Sequence, residues 1–160
     1  MKDFGINFNN WKKNIVESLV ISFFILLLLG IVKYIFNIYY PGIFKETQIF
    51  DLSYLSISYI LYAIVAPLQE FLTRGVVQGT LEKLMDFEYK GLISILVTSS
   101  IFGALHTMQS FNLAILSFVS GLLFGWLYNR HKSLLGASIC HFLIGNISGI
   151  MGYWVFLIKG

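Results

Sequence analysis

Five apolar stretches run along the chain, separated by short polar breaks: 15–36, 52–81, 92–108, 111–128 and 133–157. A membrane helix needs about 20 mainly apolar residues, within a range of ~17–25. The pattern therefore predicts an all-α fold, a polytopic membrane helix bundle of about five transmembrane helices, built as a single integral membrane domain over 1–160. The second stretch is long for a simple span. It is expected to tilt, or to bend near Pro67, whose ring removes a backbone donor. Only Gln109 and Ser110 separate the third and fourth stretches, which predicts an antiparallel helix pair. The first stretch follows Lys12 and Lys13 much as a signal sequence would. Its apolar run is too long for that, and the residues after it, Tyr39, Tyr40 and Pro41, are too bulky for a cleavage site. It reads as a retained helix.

Composition supports the membrane reading: 57% of residues are hydrophobic and 12% charged, and mean hydropathy is +0.77. The net charge of +3 is scattered over loops, with no basic stripe, which argues against nucleic-acid binding. Loop charges predict an orientation. Lys2, Lys12, Lys13, Lys83, Lys90, Arg130 and Lys132 fall on one side, and Lys33, Lys45 and Lys159 on the other. The positive-inside rule then makes the N-terminus cytoplasmic. Trp11, Trp126, Tyr128, Trp154 and the pair Tyr39–Tyr40 lie near predicted helix ends and read as interfacial anchors. Ser117, Gly121 and Gly125 recur every four residues and predict close helix contact. The one cysteine, Cys140, has no partner for a disulfide and reads as packing. His131, in a short polar break, reads as solvated.

The remaining polar residues carry the candidate chemistry. Gln69, Glu70, Arg74, His106, His141 and Asn146 lie inside or at the ends of the apolar stretches. An ionisable group in a bilayer is costly, ~2.5–3.5 kcal/mol on insertion scales, so such residues are functional candidates. Glu70 and Arg74 are four apart and share a helix face, where Arg74 would orient the carboxylate. At a rise of ~1.5 Å per residue, Glu70, His106 and His141 reach depths that allow convergence near mid-membrane. Two His and a Glu suit zinc or another divalent metal with an open position for water. A carboxylate and a His also suit direct activation of water as general bases. Either chemistry fits peptide-bond hydrolysis in a sheltered cavity. A proton-coupled carrier is a poorer fit, since the chain shows no matching halves.

These residues also resemble a known family. The run from Ala66 to Gly79, APLQEFLTRGVVQG, resembles the first motif, Glu-Glu-x-x-x-Arg, of the CAAX-prenyl-protease and bacteriocin-processing (CPBP/Abi) intramembrane proteases. Ser99 to His106, SSIFGALH, resembles the second motif, Phe-x-x-x-His. Gly121 to Tyr128 and Ser133 to Leu135 resemble the run before the third, whose His is His141. The resemblance covers a core of about 59–150. It implies an intramembrane endopeptidase in which the first motif's leading Glu and the second motif's His activate water. The third His, with an Asn or Asp four residues on, binds metal or stabilises the oxyanion. Carried over by position, the catalytic candidates are Gln69, Glu70, Arg74, His106 and His141, with Glu70, His106 and His141 as the expected metal ligands; Asn146, one residue beyond the family's position, is the further candidate, as a donor to the oxyanion. Gln69 stands where the leading Glu is expected, and Gly145 stands four after His141, with Asn146 fifth. On a regular helix Asn146 lies ~140° from His141. A π-bulge, eased by Gly145, would restore a shared face. The implied partners are the lipid bilayer and a membrane-bound protein or peptide, lipid-modified or carrying a leader. A bacterial plasma membrane and a link to bacteriocin processing or self-immunity are expected. The alternative is a catalytically impaired relative serving as a membrane scaffold, which Gln69 favours.

Overall fold

A computed structural model describes residues 4–44 and 47–159, the last of these in its backbone alone. Lys2 and Lys45, and the side chain of Lys159, used in the loop-charge reading, lie outside the described residues. Six helices carry the described chain. They are α1 (Trp11–Tyr39), α2 (Ile57–Leu84), α3 (Lys90–His106), α4 (Phe111–His131), α5 (Leu134–Ile150) and the short α6 (Tyr153–Lys159). There is no strand among the described residues. Helices α1, α2 and α4 are long and apolar enough to cross a membrane. The apolar helices α3 and α5 have 17 residues each, at the short end of the spanning range.

Two expectations about the elements change. The stretch 133–157 is not one helix. It breaks after Ile150, where Gly152 adopts a left-handed φ of +82° and its N–H donates to the Gly149 carbonyl. A side chain is strained there, so glycine ends α5 and turns the chain into α6. The second stretch is also not simply bent at Pro67. The helix runs through Pro67 and then widens into a π-helix over Phe71–Gln78 before closing as α-helix over Gly79–Leu84. Such a stretch is rare and gathers at functional sites.

Helix α5 is the centre of the bundle, packing against α1, α2 and α4, while α3 and α4 form the predicted antiparallel pair. The α4 N-terminus is set by Ser110, whose hydroxyl accepts from Leu113 N at 3.0 Å. That hydroxyl also donates to the Leu157 carbonyl at 2.7 Å, joining α4 to α6. The seam of α1 and α5 is built from small polar residues four apart. Ser18 and Ser22 are buried there, with Ser22 Oγ donating to Cys140 Sγ at 3.3 Å and Cys140 Sγ to the Ser18 carbonyl at 3.3 Å. Cys140 is therefore a packing residue between helices. In lipid, small residues at such spacing let backbones approach and exchange hydrogen bonds.

Several surface readings are corrected. Lys33 lies toward the end of α1, as expected, but does not face the surface. It is fully buried, and its Nζ donates to the carbonyls of Gln48 at 2.6 Å and Met151 at 2.8 Å, while Tyr153 Oη donates to the Leu29 carbonyl at 2.7 Å. This clasp ties α1 to the α5–α6 turn. His131 is not solvated either: it ends α4 with Nε2 3.0 Å from Glu17, which also pairs with Arg130 at 2.7 Å. Tyr128 is not an interfacial anchor but a core residue, packed where Gly5 closes the bundle end.

Candidate active site

The site grows from the turn of α2 that ends at Glu70 and from the π-helical part of α2 that follows it. Glu70 and Arg74 are both fully buried, and Arg74 Nε donates to Glu70 Oε2 at 3.2 Å. The other carboxylate oxygen, Oε1, lies 2.8 Å from Nδ1 of His141 on α5. A carboxylate only accepts, so the proton of this bond sits on Nδ1, and in the neutral ring Nε2 is the acceptor nitrogen. Nε2 lies 2.7 Å from the hydroxyl of Tyr62. The result is one hydrogen-bonded line: Arg74, Glu70, His141, Tyr62.

Aromatic rings hold that line in place. Phe124 stacks on His141 at 5.0 Å with an interplanar angle of 19°, and Phe102 meets it edge-on at 5.6 Å. Phe102 also lies 4.7 Å from the ring of His106 and under the Arg74 guanidinium at 5.5 Å. One phenyl ring thus separates the two imidazoles and covers the cation. His106 is fixed from its own helix, with Nδ1 2.7 Å from the Phe102 carbonyl. A carbonyl only accepts, so Nδ1 carries the proton, and Nε2 has no hydrogen-bond partner among the described residues.

His106, His141 and Tyr62 line one cavity of about 420 Å³, in the size range of ligand sites. Its far wall is apolar, with Ile25 and Leu29 of α1 facing Leu116 and Leu123 of α4. The lining residues Leu28, Leu116 and Val119 are exposed, so the chamber opens between α1 and α4. A second recess of about 270 Å³, lined by Ser58, Tyr59 and Asn146, adjoins it across Tyr62, Gly145 and Trp154. Trp154 is thus part of the site wall as well as a helix-end residue. Its Nε1 donates to the Gly145 carbonyl at 2.9 Å.

The sequence candidates divide accordingly. Glu70, Arg74 and His141 are brought into direct contact, and His106 joins them across Phe102. Glu70 and Arg74 do not line the chamber; they stand behind His141. Gln69 does not line it either, and its buried Oε1 has no protein partner among the described residues. Asn146 is not on the His141 face, because α5 stays a regular α-helix through Gly145. Its Nδ2 donates to the Tyr59 carbonyl at 3.1 Å, and it faces the outer recess. The π-helix lies in α2, not in α5.

The expected metal set of Glu70, His106 and His141 is not assembled. Both Glu70 oxygens and both His141 nitrogens are engaged within the protein. No group of three His, Cys, Asp or Glu is placed to hold a metal ion among the described residues. Of these three residues, His106 alone keeps an unengaged nitrogen lone pair among the described residues, on Nε2, and one nitrogen does not make a zinc site.

Helix α4 makes room for this machinery. A Cβ on Gly121 would lie 3.3 Å from Arg74 Nη2 and 3.2 Å from Ser99 Cβ. A Cβ on Gly125 would lie 3.0 Å from Gln78 Oε1, whose amide nitrogen donates to the Gly125 carbonyl at 3.0 Å. These glycines admit the neighbouring helix α3 as expected, through Ser99 and Ile95, and they also admit the polar side chains of the π-helix.

Tyr62 was missed by sequence reasoning, which weighed charged groups and amides. The signal was present: Tyr59, Tyr62, Ala66 and Glu70 recur at spacings of three and four, placing the tyrosines on the carboxylate's face of α2.

Among known proteins, the family model for Rce1-like type II CAAX prenyl endopeptidases matches residues 51–147. No curated protein and no solved structure matches the chain.

Proposed function

This chain belongs to the Rce1-like family of type II CAAX prenyl endopeptidases, and from that premise we propose that it hydrolyses peptide bonds of lipid-modified or otherwise membrane-associated proteins within the chamber between α1 and α4. One observation carries the reading: the unengaged Nε2 of His106 opens on the same cavity as the Glu70-ordered His141 and Tyr62. His106 Nε2 takes a proton from water, and the water oxygen adds to the scissile carbonyl carbon. When the carbon–nitrogen bond breaks, His106 returns that proton to the leaving nitrogen. Glu70 stays outside the reacting atoms. It fixes the tautomer and orientation of His141, as a buried carboxylate does behind a catalytic histidine. The apolar wall suits a lipid group or apolar side chain, and the recess beside Asn146 suits the polar segment beyond the cut. Loop charge and the family resemblance support a bacterial plasma membrane with a cytoplasmic N-terminus, and a role in leader-peptide processing or self-immunity.

The test is cleavage of a quenched fluorogenic peptide, carrying a prenylated cysteine near its C-terminus, by purified protein in lipid vesicles. Wild type is expected to cut and His106→Ala to fall by ~10²–10⁴-fold, the usual contribution of a positioned acid–base group. Equal rates would remove His106 from the chemistry.

A second reading rests on Gln69. An amide stands where the family resemblance places a carboxylate, and its oxygen is buried without a protein partner. Under that reading the chain binds membrane proteins without cutting them. Gln69→Glu separates the two: a peptidase activity present only in the variant would establish the scaffold reading for the natural chain.

A further inference from the structure

Resting on the hydrolytic reading above, we infer that Tyr62 is the group that donates a hydrogen bond to the substrate carbonyl oxygen, and that Gly145 and Trp154 exist at their positions to hold it there. The hydroxyl of Tyr62 is at the chamber end of the line running from Arg74 through Glu70 and His141. It is the only member of that line, besides His141 itself, that borders the cavity. In the neutral ring, with the Nδ1 proton turned toward Glu70, the Tyr62 hydroxyl donates to Nε2 at rest.

The ring is fixed on three sides. It meets His141 edge-on at 5.6 Å and 82°, and Trp154 edge-on at 6.2 Å and 89°. On the third side it lies over Gly145, where an added Cβ would come within 2.6 Å of Tyr62 Cε1 and 2.8 Å of its hydroxyl oxygen. No side chain fits there while Tyr62 keeps its place. Trp154 is itself fastened to the same residue through the Gly145 carbonyl. A phenol has one proton and free rotation about its carbon–oxygen bond. With a carbonyl in the chamber, the O–H turns from Nε2 to that oxygen. As the water oxygen bonds to carbon, the carbonyl π electrons move onto the oxygen that Tyr62 holds. No proton leaves Tyr62 in the cycle, since the proton taken by His106 is the one delivered to the leaving nitrogen. A donor already aimed at the point where charge develops stabilises the transition state without reorganising during the reaction.

The experiment is the prenyl-peptide assay in vesicles with wild type, Tyr62→Phe, Gly145→Ala and His106→Ala. Tyr62→Phe keeps the ring contacts and removes only the hydroxyl. The expected result is a kcat lower by ~10²–10³-fold with KM and melting temperature unchanged, the loss typical of one oxyanion donor. Gly145→Ala, which displaces the hydroxyl without deleting it, is expected to give the same fall in kcat. It supplies the answer if Tyr62→Phe does not fold. The His141 Nε2 resonance of the ¹⁵N-labelled protein should shift in Tyr62→Phe, a change that packing alone would not produce. Wild-type kcat in Tyr62→Phe beside an inactive His106→Ala would overturn the assignment and leave the hydrolytic reading standing. Equal rates for wild type and His106→Ala, or no cleavage by wild type, would overturn both.

Discussion

At the scale of single residues, the site depends on where its protons and charges are held. Glu70 and Arg74 neutralise one another in full burial. Breaking such a pair leaves one charge uncompensated, so Glu70→Ala is expected to cost ~3–5 kcal/mol of stability, read as a fall in thermal or denaturant midpoint in detergent. Glu70→Gln should be milder in stability but should still lose activity, because an amide nitrogen facing His141 Nδ1 reverses the tautomer. A melting temperature between those of wild type and Glu70→Ala, with turnover lost, would show that the carboxylate orders His141 as well as balancing Arg74. The Glu70–Arg74 pair was legible from spacing alone, since four residues on a helix fix a shared face. The Glu70–His141 bond was not, because 71 residues separate the partners and no local rule chooses which helices touch. Residue identity likewise pointed to a Glu, His and His metal set. The structure instead engages the Glu70 and His141 atoms that would bind metal with partners inside the protein.

At the scale of elements, helix type does the positioning. The π-helix over Phe71–Gln78 carries Thr73, Arg74 and Gln78 to buried places, and α4 receives the last two at Gly121 and Gly125. Gly121→Ala is expected to overpack Arg74 and Ser99, costing ~1–3 kcal/mol. Its melting temperature should fall well below that of Val119→Ala, a change at an exposed position of the same helix. Hydrophobic pattern located the five apolar stretches and the α3–α4 pairing, because apolar length and a two-residue break are local properties. It misread the stretch 133–157 as continuous, since the break depends on the left-handed Gly152, which composition does not reveal. It also placed the helical irregularity near Pro67 or Gly145. The winding in fact changes just after Glu70, in the segment that buries Thr73, Arg74 and Gln78.

At the scale of the whole molecule, two fastenings close the bundle around the chamber. At one end Ser133 Oγ donates to the Asn7 carbonyl at 2.9 Å and Leu134 N to the Gly5 carbonyl at 3.0 Å, so the chain before α1 seals the α4–α5 turn. At the other, Lys33 clasps the carbonyls of Gln48 and Met151. Lys33→Met is expected to cost ~1.5–3 kcal/mol, the range for hydrogen bonds from a charged donor, and to loosen α6 from α1. Faster hydrogen exchange at 151–157 with unchanged exchange in α3 would locate the effect. Between these fastenings the chamber opens between α1 and α4. The central claim is that water, activated at His106, cuts the peptide bond. Its most direct test is cleavage of the prenylated peptide in H₂¹⁸O, with mass analysis of the new carboxyl group. The account predicts incorporation of ¹⁸O by wild type and its loss in His106→Ala. A product formed without ¹⁸O, or formed equally well without His106, would contradict it.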